Sequence, residues 1–556
     1  MARRFCHLLL LLLLLLPAGD AFGSSPSVER SAAGDRGEIR AFWVDAWYNG
    51  FKTPQQIAQL IADAHTANVN TLIVQVRRRG DSYYNESLEP RAADSALAPP
   101  PFDPLAELLE AAHSASPPLQ VYAWVVAFPV WTPTYTTTDT TRHVYFRHGY
   151  GRTWEDPENW LTYRYNGGNP LPDYQLDPGH PAAARYTVDV CLYLLRHYDL
   201  DGLILDYIRY YGQDYGYNKV SVDRFHTAYG GVGLPDPTDP DWMAWRREQV
   251  TGVVRRLYLE ALAVKPDLVL GAATTAWGDG PDQAGGWENT SAYRSVFQDW
   301  RAWLEEGILD IAMPMNYDRE HQPPQNQYFR HWVEWEKDHQ YGRGVAVVQG
   351  AWINYITGTL TQTQVVQSSS PAGHNALGIG FYSYANTNAG GRPNGEFYQA
   401  LSHPSPYGDP PFPTWVEPPT LPWKIAPTAG HLLGWAIGPA GPLDRAVVTL
   451  QSSVTHTRTL LTDGNGFFGA VDLPPGAYTM TLPAPASSPL YATVLPGRVA
   501  LATVASPPEE PALRALLVDA AHDGFKTPDQ VDVLLADARA AHLNTLIVQV
   551  RRYGQV

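Results

Sequence analysis

The sequence predicts an α/β protein: a (β/α)8 TIM barrel, followed by a smaller all-β sandwich and a C-terminal partial βαβ repeat. Three observations lead there. Between Ile39 and about Ala400, eight short apolar runs alternate with longer amphipathic stretches, the pattern of a parallel sheet with helical crossovers. Residues 428–505 change to short alternating runs punctuated by turn residues, as in an antiparallel sandwich. Residues 514–554 then repeat residues 40–80 without a gap, with about 26 of 41 positions identical.

Taken in order, the first element is a secretory signal peptide over 1–23, with two arginines, an apolar run near Leu8–Leu16 and small residues at Ala21 and Gly23. It is too short for an ordinary transmembrane helix, and no other stretch is apolar enough to span, so a secreted, periplasmic or cell-surface location is expected. The barrel is assigned to 38–402, with strands at 39–47, 71–76, 119–127, 202–208, 268–274, 308–317, 344–352 and 376–384. A doubly wound sheet is the rival, but no glycine-rich phosphate fingerprint follows the first strand. A proline-rich stretch over 403–427 reads as a stiff linker, 428–505 as the sandwich, and SPPEEP (506–511) as a second break. Residues 512–556 read as the truncated start of a second barrel, because one parallel βαβ unit cannot cover its own sheet. The natural chain is therefore expected to continue past Val556.

Composition narrows the function. With 56 Asp and Glu against 40 Lys and Arg, the chain has a net charge of -16, which argues against nucleic acid or an anionic membrane surface as partner. The 18 Trp and 32 Tyr suit flat sugar faces, although rings also fill cores. After signal removal only Cys191 remains, which excludes intramolecular disulfides and cysteine zinc sites. The histidines lack metal-ligand spacing, so no metal or cofactor is expected.

In a parallel barrel, reactive groups lie where strands end and loops begin. The rim so defined carries Asp45, Trp47, Gln75, Arg77, Trp124, Asp206, Tyr207, Arg209, Trp277, Asp279, Glu288, Asn316, Tyr317, Asp318, Trp352, Tyr382 and Tyr384. Carboxylates, amides, arginines and rings on one rim suit a neutral polyhydroxylated ligand. Hydrolysis of a glycosidic bond needs one carboxylic acid to protonate the leaving oxygen and one carboxylate to attack carbon or activate water. Asp206 ends the wholly apolar run GLIL, where an aspartate either caps, pairs with Arg209 or catalyses. The acid is expected to be Asp318, Asp279 or Glu288, with Asp45 a further candidate. Trp47, Trp124, Trp277, Trp352, Tyr207, Tyr317 and Tyr384, with Asp45, Gln75, Arg77, Arg209 and Asn316, are read as substrate contacts. The alternative for Arg77 is an ion pair holding the strand-two end to Asp45 or Asp81. Asp45 and Arg77 recur in the second copy as Asp519 and Arg551, whereas Trp47 becomes Ala521, so the fold does not demand that ring.

Two resemblances add to this. TDGNGFFGAVDLPPGAYTMTL resembles the carboxypeptidase regulatory-like, transthyretin-type sandwich domain. RAFWVDAW, NTLIVQVRRRGDSYYNES, LQVYAWVVAF, LDPGHPAAARYTVDVCLYLLRHYDLDGLILDYIRY, ILDIAMPMNYD and GIGFYSYAN together resemble the bacterial glycosyl-hydrolase-like family 10 over nearly all of 38–400. That resemblance implies an exported TIM-barrel glycosidase acting on cell-wall glycan strands, such as peptidoglycan, or a related polysaccharide. The family's D-G-x-x-x-D segment falls on Asp201 and Asp206, and its M-N-Y turn on Met315, Asn316 and Tyr317. Some members carry a second aspartate where this chain has Tyr207. The rival expectation is a non-catalytic, cell-surface carbohydrate-binding protein that keeps the aromatic rim without the acid.

Overall fold

The computed structural model describes residues 37–168, 173–452, 457–482, 490–505, 514–541 and 543–550. The signal peptide expected over 1–23, the break at 506–511, and Arg551 and Arg552 lie outside these residues.

Eight parallel strands close into a barrel: β1 (Ile39–Val44), β2 (Thr71–Arg77), β3 (Gln120–Val126), β4 (Gly202–Asp206), β5 (Val269–Thr275), β6 (Ile311–Asn316), β7 (Gly344–Gly350) and β8 (Gly378–Tyr382). They run round the barrel in chain order, and β8 closes on β1 with Ile39 opposite Gly378. Every expected barrel strand is present, so the (β/α)8 class read from the sequence is the observed one. The strands are apolar on both faces because one face fills the barrel and the other meets the helices. Trp43, Ile73, Trp124, Ile204, Met313 and Val348 fill the interior. By strand alternation, the parity that turns Ile204 inward turns Asp206 inward too, at the C-terminal end.

Four helices start by the same local device. Pro54, Pro104, Pro181 and Pro240 occupy the first turn, and the preceding Thr53, Asp103, His180 and Asp239 accept hydrogen bonds from the free backbone amides. Proline has no amide to leave unsatisfied there, and its fixed φ suits the helix entry.

The proline-rich stretch is a strap across the N-terminal end of the barrel rather than a free spacer. Arg40 Nη1 donates to Thr414 O at 2.7 Å, Asn70 Nδ2 to Val416 O at 3.0 Å, and Trp423 Nε1 to Asp310 Oδ1 at 2.7 Å. The described residues between 430 and 505 form two four-stranded sheets around a shared core that includes Leu432, Val448, Phe468 and Met480. One sheet lies on the helix Pro240–Val264. Gly469 permits this approach, since a Cβ there would sit 2.2 Å from Leu259 Cδ1. Arg224–Asp444 at 2.7 Å and Arg445–Glu248 at 2.6 Å rim the junction.

Near the C-terminus, Ala515–Val518 and Thr545–Val548 pair in parallel around the helix Pro528–Ala540. The pairing Ala515 to Thr545 reproduces Ala41 to Thr71 of the barrel. The cap recurs as well: Thr527 accepts from Gln530 N as Thr53 does from Gln56 N. What differs is cover. Leu517 is 71% exposed where Trp43 is 1%, because strands β8 and β3 flank the barrel pair whereas 515–518 and 545–548 form a two-stranded sheet. Local sequence sets the βαβ unit; burial comes from neighbouring strands.

Candidate active site

The apolar strand β4 ends in Asp206. Its first residue must be glycine, because a Cβ at Gly202 would lie 2.7 Å from the ring of Tyr122. Asp206 is buried, and its Oδ2 accepts Trp124 Nε1–H at 3.0 Å while Oδ1 accepts the Tyr207 amide at 2.7 Å. Tyr207 adopts φ 49, a left-handed conformation costly for an aromatic residue, which folds its amide back onto the carboxylate. Burial pushes the Asp206 carboxyl above its ordinary value. Arg209 is the chief opposing influence, followed by the two hydrogen bonds and Arg79.

Rings line the mouth beside it. Trp43 meets Trp124 edge-on at 5.0 Å, Trp124 meets Tyr382 edge-on at 6.0 Å, and Tyr382 stacks on Tyr317 at 5.6 Å. Trp352 continues the series edge-on to Tyr317 at 6.0 Å. Further out, Trp47 is 56% and Trp277 46% exposed. The Arg78 guanidinium lies 4.2 Å from the centre of Trp47, and Arg209 lies 5.2 Å from Trp277. Cation–π contacts of this kind hold an exposed ring in one orientation. Asp45, at the end of β1, accepts the amides of Trp47 at 2.9 Å and Tyr48 at 3.2 Å, and so forms the turn that projects Trp47. Burial raises the proton affinity of Asp45, with Ser383 the first opposing influence.

A second carboxyl stands two strands along. Asp318 follows β6, and its carboxyl is pushed up to about 7, first by burial and then by the charge of Asp279. Asp279, after β5, is hydrogen-bonded to His331 Nδ1 at 2.7 Å. Behind β6, Asn316 Nδ2 donates to Glu336 Oε2 at 3.2 Å, and burial pushes Glu336 up to about 8. The site thus holds one carboxyl whose polar contacts favour its charged form and another that keeps a proton near neutrality. Among the described residues, no group of three or more His, Cys, Asp or Glu side chains is placed to hold a metal ion.

Residues 38–366 match the family model described as Glycosyl hydrolase-like 10. The chain belongs to the glycosyl hydrolase-like 10 family. It is similar to Glycosyl hydrolase YngK of Bacillus subtilis, at 26% identity over 315 residues covering 52% of this chain and 55% of the relative. It is also similar to Glycosyl hydrolase DigH of Escherichia coli, at 22% identity over 264 residues covering 45% and 54% respectively. The chain therefore spans about half the length of the curated relatives it matches. Among solved structures, the PgaB (BpsB) glycoside hydrolase domain of Bordetella bronchiseptica covers 66% of this chain and 99% of its own, at TM-score 0.47 and 15% identity.

Within this glycosyl hydrolase-like barrel, Asp206, Trp124, Tyr207, Arg209, Trp277, Tyr317 and Trp352 form a linked set about the mouth, joined through Tyr382. Other expected contacts lie elsewhere. Arg77 is buried in a two-pronged ion pair with Glu89, Nε to Oε2 at 2.6 Å and Nη2 to Oε1 at 2.7 Å, and also donates to Ala127 O. It stitches strand ends together and is not free to clamp a sugar. Gln75 accepts the Ala46 amide at 3.0 Å and fixes the turn after β1. Asn316 faces the helix Gln325–Asp338 rather than the mouth. Tyr384 stacks on Tyr398 and donates to Asp63 Oδ2 at 2.7 Å, outside the barrel. Glu288 is 64% exposed on its side chain, with Arg301 3.9 Å away. Asp201 sits at the opposite end of β4, accepting the Val121 amide at 2.8 Å.

Three residues escaped the rim reading. Trp43 shares strand parity with the interior, as the rim residue Tyr382 does, and that parity is its signal. Arg79 reaches Asp173 at 3.3 Å and lowers the proton affinity of Asp206; nothing in the run RRR distinguishes it. Glu336 lies on a helix and not a strand end.

The Arg77–Glu89 pair carries an expectation of its own. Glu89→Ala leaves a buried guanidinium unpaired and is expected to destabilise the protein by about 3–5 kcal/mol, read as a fall in the urea midpoint.

Proposed function

We propose that this chain is an exported glycoside hydrolase, cleaving O-glycosidic bonds of a bacterial cell-wall glycan or related polysaccharide with Asp318 as general acid and Asp206 as base or nucleophile. The observation that carries the reading is the difference between the two carboxyls. Burial raises the Asp206 carboxyl as well, but there an indole N–H, an amide N–H and two arginine fields oppose it and favour the carboxylate. Asp318 has burial and a like charge, both of which favour the acid. Both carboxyls are raised by burial, and they differ in that only Asp206 has contacts that oppose the rise; an acid beside a carboxylate so stabilised is the usual division of labour in glycoside hydrolysis.

In this scheme Asp318 passes its proton to the glycosidic oxygen as the bond to the anomeric carbon breaks. Asp206 either takes a proton from the water that attacks that carbon, or attacks the carbon itself to give a glycosyl ester that water then hydrolyses, the deprotonated Asp318 taking the water's proton. Asp279, whose side chain is 43% exposed and held by His331, adds its repulsion to the burial that keeps Asp318 protonated. The rings from Trp124 to Trp352 offer apolar faces to sugar rings, and Trp47 and Trp277 supply outer platforms. Residues 515–518 and 545–548 near the C-terminus repeat the pairing of the first two barrel strands, and no part in this scheme is assigned to them.

Release of new reducing ends from peptidoglycan and from a panel of neutral polysaccharides tests the reading. Glycan binding with no release from any of them would overturn it. Trp277→Ala and Trp47→Ala are each expected to raise KM about tenfold with kcat within about threefold, since removing a platform worth roughly 1–1.5 kcal/mol affects ground and transition states alike. Initial-rate kinetics on the responsive glycan would show it.

A further inference from the structure

We infer that Glu336 is a positioning residue that carries a proton in the resting protein and clamps Asn316 from both sides, so fixing the turn that presents Asp318. The effect on catalysis rests on the proposed role of Asp318; the protonation itself does not. Asn316 and Glu336 are both fully buried. Only one hydrogen bond joins them, from Asn316 Nδ2 to Glu336 Oε2 at 3.2 Å. The two atoms left over, Asn316 Oδ1 and Glu336 Oε1, are both buried acceptors without a partner. A carboxylate would leave both unsatisfied, whereas one hydrogen on Oε1 supplies the donor that Oδ1 lacks and completes a two-way pair.

The charged surroundings agree. Among the described residues no ion pair reaches Glu336. Its neighbour Lys337 points its Nζ to Val365 O at 2.8 Å and Ser368 O at 2.6 Å, and the other charge felt is that of Asp318, which opposes ionisation. Burial adds to this and holds the carboxyl at about 8. Asn316 is the last residue of β6 and Asp318 follows two residues on, so a fixed Asn316 side chain anchors the backbone from which Asp318 projects. A neutral Glu336 also places no second negative charge behind the acid.

Infrared difference spectra of the intact protein, wild type minus Glu336→Gln, are expected to show the carbonyl stretch of a neutral carboxylic acid at pH 7, fading above about pH 8. Glutamine reproduces the neutral pair, accepting from Nδ2 and donating to Oδ1. Its pH profile of kcat/KM should therefore superpose on that of the wild type. Glu336→Leu should lower kcat by tenfold or more with KM within twofold. The absence of the infrared band would overturn the inference. So would a Gln variant whose alkaline limb moves to lower pH by half a unit or more, which is what removing a real negative charge near Asp318 would produce. If the wild type cleaves no glycan, the functional reading fails while the infrared result still decides the protonation.

Discussion

Asp206→Asn is expected to lower kcat/KM on the responsive glycan by at least about a thousandfold, equivalent to about 4 kcal/mol of lost transition-state stabilisation. The substitution keeps the size of the side chain and removes only its charge and one acceptor. The Tyr207 amide and the Trp124 indole both donate to the native carboxylate, one to each oxygen. An asparagine oxygen can serve one of them, leaving its NH2 against the other donor, so a small local penalty accompanies the chemical one. Arg209 and Arg79 lose the anion they face, but both keep other partners: Arg209 lies 4.5 Å from the Tyr207 ring, and Arg79 pairs with Asp173. Folding should therefore survive, with a thermal midpoint within a few degrees of wild type. Activity within tenfold of wild type in a reducing-end assay would remove Asp206 from the chemistry.

The barrel was legible because a strand buried on both faces is an uninterrupted apolar run, and eight such runs separated by amphipathic helices have few other solutions. Asp206 was legible for the same reason, as a carboxylate ending the run GLIL. Residues misplaced by the sequence reading were lost to parity. Met313 and Met315 share one side of β6, so Asn316 must face the other, towards the helix layer. Parity alone does not rescue Arg77, because the pairing of β2 with β3 slips between Gln75 and Arg77 and resets the alternation. Which arginine of RRR meets the mouth is therefore a property of the bulge, and sequence does not record it. Glu336 had a readable sign: it falls seven residues after Phe329, on the apolar face shared with Trp332 and Val333, where an unpaired glutamate is out of place. The sequence reading looked only at strand ends. The sandwich was visible as a change of period, but its seating on the barrel was not, since that depends on Gly469 meeting Leu259 across more than two hundred residues.

Asp318→Asn is expected to slow cleavage of the natural glycan by about 10²–10⁴-fold while sparing aryl glycosides whose leaving group needs no proton. The contrast between the two substrates separates an acid from a residue that merely shapes the cleft. The sign of the pH dependence follows from the raised affinity. Asp318 holds its proton at about 7, so the acid is present below that pH, and kcat/KM of the wild type falls as pH rises through it. The same shift bears on folding. A carboxyl bound to its proton more tightly in the native state contributes stability that is complete below the unfolded pKa of about 4 and is lost as pH rises through about 7. Asp279→Asn then gives the sharper test, because it leaves the acid in place and removes only its neighbouring charge. The alkaline limb of kcat/KM should move to lower pH, with the acid-side plateau unchanged, whereas burial, the larger cause, keeps the limb above the ordinary aspartate range. An unmoved limb would mean that Asp318 owes its proton to burial alone, and a limb moved to higher pH would exclude Asp318 as the group that titrates there.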